Sequence, residues 1–219
     1  HQIELEAQLE AKGKTDILAM MNGELAMAGE MSFTRQMQPK GLGHAVWCAR
    51  DIIGDEPFAV ILPDVIVDGQ PGALKQLADV YAEVGGNVIG VEQVPEADTH
   101  KYGIVDPAER DGRRISMKGM VEKPPRGEAP SNLSISGRYI LQPQIFDLLA
   151  TQGRGAGGEI QLTDAMARLM QDQAFTAYEY EGVTHDCGDK IGLLRANVAL
   201  ALKRPDLGEA AREAISALL

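Results

Sequence analysis

The stretch FAVILPDVIVDG, residues 58–69, decides the fold class of this chain. Residues 58–62 are apolar without interruption, which predicts a strand that is covered on both faces. The strand then ends on Pro63 and Asp64. Because an unpaired carboxylate is costly in a dry core, Asp64 predicts an opening at the end of the strand, where it meets water or a cation.

Strand-like and helix-like segments alternate on either side of this stretch. Helices are predicted over residues 2–12, 16–29, 41–54, 71–86, 142–153, 159–173, 189–207 and 208–219, and strands over 32–37, 58–67, 87–94 and 174–182. Residues 102–141 hold shorter β-like pieces, which we interpret as an insertion over the ligand edge of the sheet. The alternation predicts an α/β fold, a three-layer Rossmann-like sandwich with a mostly parallel mixed sheet. Ligands bind such sheets beyond the carboxyl ends of the strands, where Asp64 stands.

The composition excludes several classes of protein. The 219 residues carry a net charge of −11, which argues against a nucleic-acid binder because a polyphosphate would be repelled. The apolar runs are too short to cross a bilayer, and residues 1–14 lack the pattern of a signal peptide. Cys48 and Cys187 lie in unrelated segments. We therefore expect a soluble, cytoplasmic protein with no membrane partner.

Two aspartates are candidates for a metal site. Asp64 follows a strand and Asp186 lies far along the chain in THDCGDK; Mg²⁺ favours one or two carboxylates together with substrate phosphates. Each aspartate alone is better explained as a turn or helix-cap residue, and only the pair becomes a candidate for a metal site. His185 and Cys187 beside Asp186 also permit zinc, but the other cysteine and histidines lack ligand spacing.

Other segments carry polar groups suited to a sugar nucleotide or phosphate. The amide of Gln36, followed by Gly41, offers a donor and an acceptor to a pyrimidine edge, unless this is an ordinary strand-to-helix turn. Glu122 and Lys123 suit sugar hydroxyls and a phosphate, or form a solvated surface pair. Glu159, expected on the first helical turn after a Gly-rich entry, either caps the helix or contacts a sugar.

Together these motifs resemble a known family. RQMQPKGLGHAV, AVILPDVIVD, YGIVD, GMVEKP, APSNLSISGRYIL, GAGGEIQLTDA and THDCGDKIG, from about residue 35 to residue 200, are similar to the bacterial UTP–glucose-1-phosphate uridylyltransferases (UDP-glucose pyrophosphorylases) of the sugar-nucleotide transferase superfamily. The resemblance implies transfer of a uridylyl group from UTP to glucose 1-phosphate, which yields UDP-glucose and pyrophosphate with Mg²⁺ as cofactor. It also implies a homodimer or homotetramer.

The resemblance assigns a role to each candidate. It implies that the uracil contacts Gln36 and Gly41, that the glucose contacts Gly103, Gly137, Glu122 and Glu159, that the sugar phosphate contacts Lys123, and that the cation contacts Asp64 and Asp186. We expect a nucleotidyltransferase catalytic domain over residues 1–200 and a C-terminal helical segment over residues 201–219 that contacts another subunit.

One feature of the family does not occur in this sequence. Its first strand, its G-x-G-T-R loop and its K-E-M segment hold the triphosphate, and His1 corresponds to a point after these first βα units. A polypeptide without them is expected to lack central strands and to show little activity. The alternatives are therefore a catalytically silent sugar-nucleotide-binding module, or a related nucleotidyltransferase that uses dTTP or another hexose phosphate.

Overall fold

The computed structural model describes residues 3–23 and 29–218, which fall into two compact units over residues 1–35 and 36–219. In the first unit, helix α1 (Ile3–Ala11) contacts helix α2 (Thr15–Gly23). The helix predicted to continue to residue 29 crosses residues 24–28, which lie outside the described residues. The strand predicted over residues 32–37 is wrong, because these residues form no strand ladder.

The second unit alternates short strands and helices. Its helices are α3 (Leu42–Trp47), α4 (Arg50–Ile53), α5 (Ala73–Val84), α6 (Ile145–Thr151), α7 (Leu162–Leu169), α8 (Lys190–Lys203) and α9 (Gly208–Ser216). Its strands are β1 (Phe58–Ile61), β2 (Val65–Asp68), β3 (Asn87–Gln93), β4 (Gly103–Asp111), β5 (Arg114–Glu122), β6 (Leu133–Leu141), β7 (Phe175–Glu179) and β8 (Val183–Asp186). The α/β class is confirmed. The division at residues 200 and 201 stays a prediction.

The strand order in the main sheet is β1-β6-β3-β7-β5-β4. Among the described strands only β3 and β7 pair in parallel, so the mostly parallel sheet predicted from the sequence is wrong. An apolar run indicates that both faces of a strand are covered, but it does not indicate whether the neighbouring strand is parallel or antiparallel. The predicted insertion is also wrong, since β4, β5 and β6 belong to the main sheet and β6 is buried at every position.

The opening stretch forms two strands rather than one. Among the described strands, β1 lies at the edge of the main sheet and pairs only with β6. Its alternate residues are exposed, including Ile61 at 51 %. The prediction of a strand covered on both faces is therefore wrong. β2 leaves the main sheet and pairs with β8 in a separate two-stranded sheet. Residues 62–64, including Asp64, connect the two sheets.

Apolar residues cover both faces of the main sheet. A larger cluster joins α6 and α7 to one face, to which β3 contributes Ile89 and Val91. A smaller cluster joins α5 to the opposite face, to which β3 contributes Val88. Because neighbouring residues of a strand point to opposite faces, β3 is buried from both sides. Helices contact both faces, although the complete three-layer arrangement stays a prediction.

Candidate active site

One cleft of about 300 Å³ gathers most of the predicted site residues. It opens where β5 and β8 end, beside the middle of β6 and the segment that follows β1. The predicted residues that line it are Asp64, Gly103, Glu122, Lys123, Gly137 and Asp186. They come from five separate parts of the chain, so the cleft is a product of the tertiary fold.

Asp64 and Asp186 approach each other through the pairing of β2 with β8. Val65 lies opposite Asp186 in this ladder, and the Cys187 N–H donates a hydrogen bond to the Asp64 carbonyl at 2.7 Å. A β-carbon on Gly188 would lie 3.0 Å from Asp186 Oδ1 and 3.4 Å from Asp64 Oδ2. The two carboxylates therefore border the same small space.

This donor set fits a hard divalent cation. Two carboxylates that face a cleft large enough for phosphates match the preference of Mg²⁺ for few protein ligands. Zinc fits poorly, because no group of three or more His, Cys, Asp or Glu side chains within residues 3–23 and 29–218 is placed to hold a metal. The zinc alternative thus lacks a ligand set in the part of the chain that the structure describes.

Glu122 is held in the cleft by two neighbouring elements. Its side chain is only 12 % exposed, and its Oε2 accepts a hydrogen bond from Thr163 Oγ1 of α7 at 2.6 Å. Gly103 lies directly opposite on β4, where a β-carbon would come within 3.1 Å of both of those oxygens. The absence of a side chain at Gly103 therefore leaves room for the carboxylate. This burial contradicts the solvated surface pair for Glu122.

Lys123 enters the same cleft because its backbone is left-handed, with φ +46°. On a regular strand it would point away from Glu122, but this torsion ends β5 and brings its Nζ to 3.8 Å from Glu122 Oε1. A non-glycine residue in this region costs roughly 1–2 kcal/mol. Its N–H donates to the Tyr102 carbonyl at 3.0 Å, which holds the turn in place.

Gly137 brings β1 and β6 close together beneath Asp64. Its φ is +73°, and a β-carbon would meet three side-chain atoms of Leu62 at 3.0 Å. The Leu62 N–H also donates to the Gly137 carbonyl at 3.0 Å. A larger residue at position 137 would therefore push on the segment that carries Asp64.

The other three predicted residues, Gln36, Gly41 and Glu159, form a second group beside the cleft. Gln36 Nε2 donates to the Gly41 carbonyl at 3.1 Å and lies 2.9 Å from His44 Nδ1. A β-carbon on Gly41, whose φ is +110°, would lie 2.7 Å from Glu159 Cβ. Gln161, which lines the cleft, connects the groups, with its Nε2 3.4 Å from Glu159 Oε2.

The predicted position of Glu159 on a first helical turn is wrong. A 3₁₀ turn covers Ala156–Gly158, Glu159 follows it with extended torsions of −108° and 157°, and α7 begins only at Leu162. The Gly-rich entry therefore continues past Glu159. Capping by the helix dipole does not explain this carboxylate, since it lies outside the helix.

Several residues that line the cleft escaped the sequence analysis, notably Glu92, Tyr102, Tyr139 and Thr184. Burial raises the pKa of Glu92, the hydrogen bond from Thr184 opposes the rise, and the charge of Asp186 adds to it. Burial, followed by the charge of Asp186, also raises the pKa of Tyr102. Glu92 follows the apolar run within β3, as Asp64 follows the apolar run of β1. A carboxylate at the end of an apolar run is therefore a signal that the two residues share. The tyrosines carried no such signal.

Comparisons with known proteins identify the family of this chain. A family model described as nucleotidyl transferase matches residues 3–202, and enzymes of this family generally use a divalent metal ion. The UTP–glucose-1-phosphate uridylyltransferase of Staphylococcus epidermidis is 49 % identical over 209 residues, which are 95 % of this chain and 72 % of that protein. The Bacillus subtilis protein of the same name is 50 % identical over 204 residues, 93 % of this chain and 70 % of that protein.

Solved structures extend the similarity to three dimensions. UDP-glucose pyrophosphorylase from Acinetobacter baumannii, also solved with UTP bound, matches with TM-score 0.87 and 42 % identity over 100 % of this chain and 76 % of that chain. A UDP-glucose pyrophosphorylase complexed with UDP-glucose matches with TM-score 0.77 and 39 % identity, over 79 % and 66 % of the two chains. Within the described residues, no helix is long and apolar enough to span a membrane. The chain belongs to the nucleotidyl transferase family and, within it, to the UTP–glucose-1-phosphate uridylyltransferases.

Proposed function

We propose that this protein transfers the uridylyl group of UTP to glucose 1-phosphate and forms UDP-glucose and pyrophosphate. The observation that carries the proposal is the convergence of Asp64 and Asp186 in a cleft that also holds Glu122 and Lys123. Such a cleft offers a cation site beside groups that suit a sugar and its phosphate. Relatives about 50 % identical carry the name of this activity, and similar structures hold UTP or UDP-glucose.

The substrates are proposed to lie along the cleft in a definite order. The uracil contacts Gln36 and Gly41 at one end. The glucose lies near Gly103 and Gly137, with its hydroxyls donating to Glu122 and Glu159. The half-exposed Lys123 pairs with the sugar phosphate, which brings its positive charge close to the reacting groups.

The proposed reaction is a direct in-line displacement. A phosphate oxygen of glucose 1-phosphate forms a bond to the α-phosphorus of UTP while the bond from that phosphorus to the β-bridging oxygen breaks. The electron pair of the broken bond leaves with pyrophosphate. The nucleophile is already an anion, so alignment and charge neutralisation suffice and no protein nucleophile is needed.

The role of the acidic pair is to hold a divalent cation, proposed to be Mg²⁺. When bound between Asp64 and Asp186, the cation supplies positive charge against the phosphates of two mutually repelling anions. The side chains themselves provide the oxygen ligands and fix their separation. Lys123, which lines the same cleft, supplies a second positive charge.

The test is a direct assay of the full-length protein. UTP, glucose 1-phosphate and MgCl₂ are mixed with the enzyme, and UDP-glucose and pyrophosphate are quantified by chromatography. Asp64→Asn is expected to lower turnover by about 10² or more, as loss of a transition-state electrostatic group does. Asp147→Asn, a change at an exposed aspartate of α6, is the matched control. Near-normal turnover by Asp64→Asn would reject the cation site, and equal use of dTTP would reject the uridylyl assignment.

We further infer a cytoplasmic homodimer or homotetramer in which residues 201–219 contribute a contact. The observation that supports this contact is the exposure of apolar residues around the last two helices, including Leu194 of α8 at 58 % and Leu207 before α9 at 43 %. Light scattering coupled to size exclusion measures the oligomeric state. Leu207→Lys is expected to shift the enzyme toward smaller species, and an unshifted mass would contradict a contact there.

A further inference from the structure

Arg138 is a buried arginine directly beneath the segment that carries Asp64. It lies on β6 opposite Ile61, is 9 % exposed, and packs where Gly90 of β3 leaves space, since a β-carbon on Gly90 would lie 3.2 Å from Arg138 Cβ. Among the described residues, no carboxylate lies within ion-pair distance of its guanidinium. Its hydrogen bonds go instead to backbone carbonyls.

The guanidinium bonds to carbonyls on both sides of Asp64. Nη1 donates to the Leu62 carbonyl at 3.1 Å and to that of Gly137 at 3.2 Å, while Nη2 donates to the carbonyl of Val65. The planar fork of an arginine presents several donors in a fixed geometry. One side chain of β6 therefore holds both residues that flank Pro63 and Asp64.

The tied segment has few other restraints. Pro63 has no N–H, and the Val65 N–H reaches the Leu62 carbonyl only at 3.4 Å. Leu62 follows β1 and Val65 begins β2, and these two strands belong to different sheets, so neither ladder continues through Asp64. The other short restraints are the bonds from Leu62 N–H to Gly137 and from Cys187 N–H to the Asp64 carbonyl.

A charge at position 138 needs an explanation beyond packing. Burying a guanidinium carries a desolvation cost, and an apolar side chain of similar volume would fill the space without it. The bonds to the Leu62 and Val65 carbonyls offset that cost only while the Asp64 segment keeps this shape. The buried charge and the shape of the segment therefore depend on each other.

We propose that Arg138 is the positioning residue of Asp64: by holding the Leu62 and Val65 carbonyls, it sets the Asp64 carboxylate opposite Asp186. The inference rests on the proposed role of Asp64 as a cation ligand. The proposal adds a residue of β6, a different part of the chain, that orients this cation ligand.

Two variants test the proposal in the full-length protein. Arg138→Lys keeps the charge, but one ammonium group does not reproduce the fork that joins the two carbonyls. Arg138→Met removes the buried charge and is expected to fold even where a buried lysine is not tolerated. Arg114→Lys, a change at a partly exposed arginine on β5 that pairs with Glu83, is the matched control.

The main readout is cation binding rather than activity. Mn²⁺ binding is measured by electron paramagnetic resonance and calorimetry, with and without UTP. Both Arg138 variants are expected to weaken Mn²⁺ binding by about tenfold or more. Loss of the hydrogen bonds that orient a metal-binding residue commonly has an effect of this size. In kinetics, the half-saturating Mg²⁺ concentration rises while the KM for glucose 1-phosphate stays within about twofold of the wild type, because uniform sugar binding is untouched.

A double-mutant cycle separates this inference from the proposed function. In an Asp64→Asn background, Arg138→Met is expected to cause no further loss of Mn²⁺ binding, because both changes act through one carboxylate. Wild-type Mn²⁺ affinity in both Arg138 variants, with only a lower melting temperature, would overturn the positioning role. Undiminished Mn²⁺ binding by Asp64→Asn alone would instead overturn the cation site itself.

Discussion

The hydrogen bond from Thr163 to Glu122 provides a sharp test of how the cleft holds its carboxylate. Thr163→Val keeps the shape of the side chain and removes the hydroxyl that donates to Glu122 Oε2 at 2.6 Å. Glu122 is only 12 % exposed, so water replaces the lost donor poorly. A hydrogen bond to a charged group contributes about 1.5–3 kcal/mol, and we expect the free energy of unfolding to fall by that amount.

The same change is expected to affect sugar binding. Without its donor, the carboxylate is free to move away from Gly103, which it approaches closely. If the loss of this orientation weakens the binding of glucose 1-phosphate by about 1.4 kcal/mol, its KM rises about tenfold. The KM for UTP is expected to change little, because the Thr163 hydroxyl donates to Glu122 and, among the described residues, bonds to neither Gln36 nor Gly41.

Urea denaturation and steady-state kinetics measure the two effects. Thr163→Ser is the matched control, since it loses a methyl group but keeps the oxygen that donates to Glu122. The reasoning predicts that Ser stays close to the wild type in sugar KM while Val does not. Equal stability and equal sugar KM for the Val and Ser variants would refute it.

Three further predictions concern other parts of the site. Lys123→Gly is expected to raise the free energy of unfolding by about 1 kcal/mol relative to Lys123→Ala, because glycine tolerates φ +46°; both variants should lose affinity for glucose 1-phosphate. Gln36→Ala should reduce the preference for UTP over CTP by about tenfold or more. The Gln36 amide nitrogen contacts both Gly41 and His44, so its oxygen remains for a pyrimidine N–H, which cytosine lacks at that position. The raised pKa of Glu92 means that the folded state favours its neutral form, so its contribution to stability is complete below pH 4.5 and is lost as the pH rises through the raised value. Glu92→Gln should therefore gain stability relative to the wild type as the pH rises from 4 to 7.

Each of these predictions has a clear contrary result. Equal unfolding free energies for the Gly and Ala variants at position 123 would show that the left-handed turn stores no strain. Unchanged discrimination between UTP and CTP by Gln36→Ala would remove this residue from base recognition. A stability difference between Glu92→Gln and the wild type that is independent of pH would contradict the burial of a charged Glu92.

The candidate site was accessible to sequence analysis where a polar residue ended an apolar run. Asp64, which follows the apolar run of β1, illustrates this signal. Glu92, which follows the apolar run within β3, carries it as well but was not among the predicted site residues. Glu122 and Lys123 were identified together, but the sequence left open whether both face the ligand. The φ of Lys123 decides that they do, and a lysine gives no sign in sequence that its backbone is left-handed.

The amino-acid sequence by itself determined most of the helices and strands, because alternating burial and turn residues act over a few neighbours along the chain. Only the tertiary structure decided the antiparallel pairings, the division of residues 58–69 between two sheets, and the meeting of Asp64 with Asp186. These features depend on which strands lie side by side. That choice is made by long-range packing and backbone hydrogen bonds, which leave no local pattern in the sequence.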